Sequence, residues 1–209
     1  MMELTMYQIE MDSLSEAEIK EINDQHILWI AGKGGERANF SGKTLWNLDL
    51  RDYPFVEADF SKCLIYDCIM PHNLLNSSFK QAELISVNFQ RCDLTHAAFD
   101  QARCGLVNFQ GAKLGGATLN QTELKDCNFT KTNLRYCQLR VYTAGPWTAY
   151  IRPDFTSIGC QHHSNEDWKR FTNYQIDDMS SQALKYWEEN KKLIFMMMDS
   201  FKKDECDSL

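Results

Sequence analysis

The sequence of 209 residues predicts an all-β solenoid with four five-residue steps in each coil and with helical caps at its ends. Three observations lead to this fold class. A large apolar residue, usually Leu or Phe, recurs at every fifth position, a small residue precedes most of them by two positions, and like residues return after twenty positions. Neither a helix, with an apolar period of about 3.6, nor a strand, with a period of two, accounts for a step of five. Internal repeats of this kind are typical of stacked coils that bury one continuous core.

The apolar steps run from residue 40 to residue 139 in two frames. Of the fourteen steps in the second frame, thirteen are Leu or Phe, and the exception is Cys104. The frames differ by one residue, and the slip falls in the segment MPHN, where Pro71 supplies a break. The steps are Phe40, Leu45, Leu50, Phe55, Phe60, Ile65 and Met70, then Leu74, Phe79, Leu84, Phe89, Leu94, Phe99, Cys104, Phe109, Leu114, Leu119, Leu124, Phe129, Leu134 and Leu139.

The longer period of twenty residues predicts how the coils stack. Phe89, Phe109 and Phe129 are twenty apart, and Asn residues precede all three. Four steps therefore complete one coil, and successive coils pair backbone to backbone at about 4.8 Å. The steps amount to about five coils, which is a rod about 25 Å long at that spacing.

The sequence predicts caps at residues 1–37 and 142–209 around a solenoid at 38–141. In the first cap, Ser15 and Glu18 have the spacing of a capping box that opens a helix, and Gly32 is the first of three glycines that end it. In the second cap, β-branched and aromatic residues predict strands at 147–151 and 155–158. One helix is expected to begin after Ser164, and a longer one is expected to begin after Ser180 or Ser181 and to end near Lys203.

Residues 193–198 of the last predicted helix are six apolar residues in a row. A helix that is apolar all round is buried on several sides. We expect it either to pack across the end of the solenoid or to pair with a second copy of the chain, and a homodimer is the favoured outcome.

Cysteine placement indicates a reduced protein. Five of the eight cysteines occupy the small-residue position of the repeat, where a free cysteine acts as a small apolar residue: Cys63, Cys68, Cys92, Cys127 and Cys137. The N-terminus lacks the pattern of a secretion signal, and no segment is apolar enough to span a membrane. These features predict a cytoplasmic location with no membrane partner.

The motif formed by each step resembles the pentapeptide-repeat family. It reads ADF at residues 58–60, CDL at 92–94 and VNF at 107–109. The resemblance implies a right-handed quadrilateral β-helix and a non-catalytic activity. Residues 26–42 and 158–171 are similar to flanks of phage- and prophage-type members. The best understood members are dimeric acidic rods that imitate duplex DNA and act on DNA gyrase.

The residues do not predict an active site. Cys160, His162 and His163 form a C-x-H-H cluster, but zinc usually needs four ligands. We therefore favour an ordered turn over a metal site there. The five histidines are scattered and no nucleophile elbow accompanies them. The prediction is a non-enzyme with no catalytic residue, no metal and no cofactor.

The charge distribution bears on the partner. The formal net charge is −7, but residues 38–141 carry eleven Lys and Arg against ten Asp and Glu. The acidity thus lies in the ends, which departs from a DNA-mimicking rod. An acidic chain also disfavours direct contact with nucleic acid.

One side of the predicted solenoid carries outward apolar residues with an acidic fringe, and such a surface is typical of contact sites. The protein's own terminal helix, a second copy or a foreign protein are the candidate occupants. The function favoured is a non-catalytic protein-binding rod, encoded by a phage or mobile element, that blocks or modifies a host macromolecular machine. The alternatives are a DNA mimic acting on DNA gyrase or another DNA-binding complex, and a structural component of a phage particle. The predicted partner-binding residues are Trp46, Leu64, Tyr66, Asp67, Glu83, Ile85, Leu106, Glu123 and Asp126.

Overall fold

The computed structural model describes residues 12–204, with side chains described to Phe201. Residues 1–11 of the predicted N-terminal cap and 205–209 of the predicted C-terminal cap lie outside the described residues. The chain forms two compact units that divide after Cys137. The first unit contains a parallel sheet and the second an antiparallel sheet.

The first unit is the predicted β-solenoid. Its longest parallel ladder has the order β1-β2-β3-β4-β5, with three residues in each strand. Three further rows of parallel bridges lie between these strands along the chain, for example Asn88↔Asn108↔Asn128. Each coil therefore has four sides, as the twenty-residue period predicts. The strands are β1 (Thr44–Trp46), β2 (Leu64–Tyr66), β3 (Glu83–Ile85), β4 (Arg103–Gly105) and β5 (Glu123–Lys125).

The five-residue steps form the core of the solenoid. Phe79 and Phe99, one coil apart, are fully buried and stack with ring centroids 4.9 Å apart. Phe89 and Phe109 stack in the same way at 5.3 Å on the opposite side of the coil. The preceding small residues are buried as well, and Ala97 has no exposed surface. Leu and Phe therefore fill the interior, while the small residues leave room for them.

Nearly every corner of the coil is a tight turn with a left-handed residue. The Cys92 N–H donates to the Phe89 carbonyl oxygen at 3.1 Å, and Arg91 between them has φ 60°. This is the geometry of a type II turn, which places a positive φ at its third residue. The frame slip removes one residue from a corner: Asp59 pairs with Ser78 nineteen positions later, whereas Ser78 pairs with Ala98 at the usual twenty.

Helix α1 (Glu16–Ile30) covers the first coil and confirms the predicted capping box. The Glu18 N–H donates to Ser15 Oγ, and the Ser15 N–H donates to Glu18 Oε2 at 2.8 Å. The helix buries His26, whose ring lies 5.9 Å from the ring of the core residue Phe55. His26 Nδ1 accepts a hydrogen bond from the backbone N–H of Ala38, at the start of the solenoid.

The second unit contains an antiparallel sheet in the order β6-β7-β8-β9. It confirms the predicted strands β7 (Trp147–Ile151) and β8 (Phe155–Ile158). Strands β6 (Arg140–Ala144) and β9 (Gln161–Ser164) were not predicted. The outer hairpins turn through two residues, and each turn opens with a glycine of positive φ, as type II′ turns require.

Three helices pack with this sheet. Helix α2 (Asn165–Arg170) starts at the predicted cap, since Ser164 Oγ accepts from the Asp167 N–H at 3.0 Å. Helix α3 (Asn173–Asp177) was not predicted. Helix α4 (Ala183–Asp204) begins beyond both Ser180 and Ser181, so the predicted cap position was wrong by one or two residues.

The apolar run of α4 is buried on one side only. Ile194 is fully buried and Met198 is 2% exposed, within a cluster that also holds Ile151 and Trp168 of the same unit. Met196 points outward and is 62% exposed. The run was expected to be buried on several sides, but its inner face packs against the sheet of its own unit. The homodimer stays a prediction.

Candidate partner-binding face

The structure brings all nine predicted partner-binding residues to one side of the solenoid, which we call the β1–β5 face. They fall in three adjacent rows that run across the coils. The first row is Thr44, Leu64, Glu83, Arg103 and Glu123; the second is Trp46, Tyr66, Ile85, Gly105 and Lys125; the third is Asn47, Asp67, Ser86, Leu106 and Asp126.

The apolar members gather on the first three strands. Trp46, Tyr66 and Ile85 are direct neighbours in one row, so their backbones lie about 4.8 Å apart. Leu64 flanks them in the adjacent row. All four are partly exposed, while the core residue between Leu64 and Tyr66 is fully buried. These side chains form one contiguous apolar patch.

Two of the four charged members lie at the other end of the face, and the other two, Asp67 and Glu83, lie beside the apolar patch. Glu123 and Asp126 are exposed on or beside β5, and Glu83 belongs to the same row as Glu123. Arg103 stands between the two glutamates and approaches Glu123 to 3.7 Å. Because a cation interrupts the row, the acids do not form a continuous stripe.

Gly105 and Leu106 depart from what the fold alone requires. Gly105 is in a strand, its φ is not positive, and a Cβ added there would meet open space. Leu106 occupies the left-handed corner position with φ 57° and is 62% exposed. Glycine weakens a strand interior, and a bulky residue with positive φ is strained. Both residues lower the stability of the fold, although other residue types would fit at these two positions. Residues that lower stability in this way cluster at functional sites.

The sequence analysis placed Leu106 among the predicted partner-binding residues but did not include Gly105. The sequence does contain an indication of Gly105, because the step R-C-G-L puts a glycine at the outward strand position and a leucine at the turn position. The glycine leaves a notch beside Ile85 and Leu106 in which another backbone can approach closely.

The other sides of the solenoid carry mainly amide ladders and local ion pairs. Gln81 donates to Gln101 at 2.8 Å, and Gln90 donates to Gln110 at 2.9 Å. Asp93 pairs with Lys113 of the next coil at 3.1 Å. Val56 and Leu75 are outward apolar residues on another side, but they form only a small pair there. The β1–β5 face therefore has the larger apolar patch.

The C-x-H-H cluster is part of a hairpin. Cys160 lies in the turn between β8 and β9, whereas His162 and His163 belong to β9 itself, so the expected turn covers only part of the cluster. His162 Nδ1 lies 2.5 Å from Ser157 Oγ, and His163 Nε2 lies 3.2 Å from Gln161 Oε1. Among residues 12–204, no three His, Cys, Asp or Glu side chains are grouped so as to hold a metal ion.

Four-sided coils with a Leu and Phe core, tight corners and a helical cap define the first unit as a β-solenoid. Residues 73–103 and 107–140 match the family model for pentapeptide repeats, with eight copies. This part of the solenoid thus consists of pentapeptide repeats, and the chain is similar there to the pentapeptide-repeat family.

Several solved structures are similar to the chain. A pentapeptide repeat protein from the thylakoid lumen of Arabidopsis thaliana is 26% identical with a TM-score of 0.40, over 46% of this chain and 65% of that one. The pentapeptide repeat protein Rfr23 from the cyanobacterium Cyanothece 51142 is 30% identical with a TM-score of 0.36, over 46% and 60%. Full-length QnrB1, a plasmid-mediated fluoroquinolone resistance protein, is 17% identical with a TM-score of 0.25, over 46% and 55%.

The chain spans less than two thirds of the length of each of these three proteins. No protein of curated function matches it. Within the described part of the chain, no helix has the length and apolar character needed to cross a membrane.

Proposed function

We propose that this protein is a non-catalytic binding protein that holds a protein partner on the β1–β5 face of its solenoid. The partner is a component of a host macromolecular machine, which the bound solenoid blocks or modifies. The similarity of residues 26–42 and 158–171 to phage-type members supports this choice of partner.

The observation that carries the proposal is the apolar patch with Gly105 and Leu106 beside it. Solvent-exposed apolar residues scattered singly need no explanation, but a contiguous patch rimmed by charge is typical of protein contacts. Trp46 and Tyr66 belong to the residue types that most often contribute the largest share of binding energy. The stack of coils provides them with a rigid support, which lowers the entropy lost on binding.

DNA mimicry is the weaker alternative. It requires closely spaced acids along the solenoid, and Arg103 interrupts the acidic row of the β1–β5 face. In the bridged rows on the other sides, Asp93 is followed by Lys113 and Asp49 is followed by Ile69. We expect no inhibition of DNA supercoiling by gyrase at concentrations that saturate the true partner.

Affinity capture with the full chain tests the proposal. A nuclease-treated bacterial lysate is passed over the wild type and over a Trp46→Glu, Tyr66→Lys, Ile85→Glu variant. We expect a partner retained by the wild type to be lost from the variant. Circular dichroism and the unfolding midpoint of the variant verify that it is folded, since the substituted side chains point outward.

A matched control places the same charges on a different side. Gln90→Glu, Gln110→Lys and Thr130→Glu each follow a core step as Trp46, Tyr66 and Ile85 do. The control variant should keep the partner. Equal retention by both variants would move the site away from the β1–β5 face, and capture of nothing but the chain itself would favour a structural role.

A further inference from the structure

The second row of the β1–β5 face presents one outward position per coil along the axis of the solenoid. Trp46, Tyr66 and Ile85 are paired neighbours, and Gly105 and Lys125 continue the row. Successive members lie about 4.8 Å apart, so the whole row is about 19 Å long. The side chains become smaller from Trp46 to Gly105, where an added Cβ would meet open space. A partner segment that lies along this row therefore meets one position in every coil.

The spacing of the row fits an α-helix better than an extended segment. One helical turn rises about 5.4 Å, so a helix laid along the axis drifts by only about 2 Å between Trp46 and Gly105. In a strand, residues on the same side are about 6.6–6.8 Å apart, and the drift over the same three steps is about 6 Å. A segment that crosses the row at a right angle meets a single coil. The period of the row therefore favours a helix.

The apolar patch also lacks a free sheet edge to which an extended peptide could add. Extended peptides bind at sheet edges, where backbone N–H and C=O groups are available. Strands β2, β3 and β4 have a paired strand on both sides. At the outer strand β1, the Leu14 N–H donates to the Thr44 carbonyl oxygen at 3.0 Å. The Trp46 N–H donates to Ser13 Oγ, also at 3.0 Å. The chain itself thus occupies the edge beside the patch.

Acidic side chains lie on both sides of the second row. The first row and the third row contribute two each, and all four are exposed: Asp67, Glu83, Glu123 and Asp126. Among the described residues, only Glu123 of these four forms an ion pair, and its partner is Arg103. With Arg103 and Lys125 as the cations, the three rows carry a net charge of −2. The flanks of the row therefore suit a segment with cations at its sides.

We propose that the partner segment bound on the β1–β5 face is an amphipathic α-helix, with an apolar stripe along the second row and with Lys or Arg on both sides of that stripe. This inference rests on the proposed function, because it specifies the partner of the same face. A helix of about 13 residues covers the row of about 19 Å. One large apolar side chain of the helix fills the notch at Gly105, beside Ile85 and Leu106. The exposed charge pairs at the sides add little affinity each, so the apolar stripe supplies most of it.

Three synthetic peptides test the proposal with the full chain. The basic helical peptide has about sixteen residues, with leucine at every third or fourth position, lysine beside the leucines and alanine elsewhere. The alternating peptide has the same composition, with leucine at every second position. The acidic helical peptide has glutamate in place of lysine. Fluorescence anisotropy of labelled peptides gives the dissociation constants. We expect the basic helical peptide to bind about tenfold more tightly than the alternating one and about fivefold more tightly than the acidic one.

Variants of the chain locate the bound helix. Gly105→Val fills the notch and should weaken binding of the basic helical peptide about tenfold. It should not lower stability, because its Cβ meets open space and valine suits a strand. Gln110→Val, at the equivalent outward position on another side, should leave binding unchanged. Glu83→Lys and Glu123→Lys together should reverse the preference between the basic and acidic helical peptides.

Several results would overturn the helix while leaving the proposed function in place. They are tighter binding of the alternating peptide, equal binding of the basic helical peptide to the wild type and to Gly105→Val, and no binding of that peptide at millimolar concentration. The proposed function is tested separately by the captured partner. If the partner is lost from the Trp46→Glu, Tyr66→Lys, Ile85→Glu variant but no helical peptide binds the face, the face binds a partner in another conformation.

Discussion

Individual corner residues of the solenoid bear a conformational strain that glycine would relieve. Fifteen described non-glycine residues have positive φ, and most of them recur at five-residue intervals. Asn and Asp tolerate this conformation better than bulky side chains do. Leu106 is the bulky aliphatic example, and its 62% exposure means that packing offsets little of the strain.

Replacing Leu106 with Gly should therefore stabilise the solenoid. We expect the free energy of unfolding in urea to rise by about 1 kcal/mol, because an L-residue in the left-handed region loses roughly that amount. The same substitution should weaken partner binding if Leu106 belongs to the contact. Gly111→Leu is the reciprocal control, with φ 68° at an equivalent corner, and should lower stability by a similar amount. A loss of stability in Leu106→Gly would contradict this account.

Cysteine reactivity offers a second test at the residue scale. Burial raises the pKa of Cys63 and of Cys92 to about 12, and that of Cys68 and of Cys127 to about 11. Thiolates are the reactive form, so buried cysteines in the repeat should be inert in the folded protein. Cys160 is exposed.

We expect a Cys206→Ser variant to react with a thiol reagent once, at Cys160, at pH 8. The substitution removes the one cysteine that lies outside the described residues. In denaturant all seven remaining cysteines should react. Mass spectrometry of the labelled peptides gives the sites. Fast labelling of a second cysteine in the folded protein would show that a coil opens locally.

Residue positions on the β1–β5 face could be predicted because a period of five, repeated four times, fixes which side each residue faces. The position of Arg103 between Glu83 and Glu123 also follows from the sequence, since the three residues are twenty positions apart. The sequence did not show that a Cβ at Gly105 would meet open space, because that depends on the side chains of the neighbouring coils.

At the scale of the element, the solenoid was predictable because most steps obey the same two constraints. A large apolar residue must fill the interior and a small one must sit beside it. Strand β9 was missed because QHHS lacks the β-branched residues that mark strands, and β6 because Val141 was counted with the last coil. The space lined by Trp147, Trp168 and Trp187 in the second unit could not be foreseen, since its wall comes from elements spread over forty residues.

The small-residue position can be tested directly. Ala97→Leu should lower the free energy of unfolding by about 1–3 kcal/mol or prevent folding, because the added methyl groups have no room in a packed interior. Ala97 is fully buried. Its neighbour Ala98 points outward, and Ala98→Leu should change stability by less than about 0.5 kcal/mol. Equal effects of the two substitutions, measured by urea unfolding, would show that the interior is not close-packed.

The cap helix α1 should make the stability of the solenoid depend on pH. Burial lowers the pKa of His26 below its ordinary value of 6.5. His26 then binds a proton more readily in the unfolded chain than in the folded one. The contribution of neutral His26 to stability is therefore complete above about pH 6.5. As the pH falls below that value towards the lowered pKa, the contribution is progressively lost.

We therefore expect the urea midpoint of the solenoid to be steady from pH 8 to 7 and to fall between pH 6.5 and 5. His26→Gln should remove most of that slope while lowering stability at pH 7.5. His72→Gln, at an exposed histidine of the same unit, should keep the slope. A slope that persists in His26→Gln would assign it to other groups.

At the scale of the whole molecule, the solenoid presents the broad β1–β5 face, on which we propose that a protein partner binds. The net charge of −7 is concentrated outside the solenoid, whose charges nearly cancel. Long-range electrostatic attraction is therefore not expected to determine which partner binds the β1–β5 face.

Because the charges of the solenoid nearly cancel, we can predict how partner binding depends on salt concentration. Contact through the apolar patch should leave the dissociation constant for the captured partner within about threefold between 50 and 500 mM NaCl, because screening acts mainly on exposed charges. A DNA mimic that occupies a site for phosphates should lose affinity by orders of magnitude over the same range, as DNA itself does. Calorimetric titration at four salt concentrations separates the two. A steep loss of affinity with salt, unchanged in the Trp46→Glu, Tyr66→Lys, Ile85→Glu variant, would transfer recognition from the apolar patch to the acidic ends of the chain.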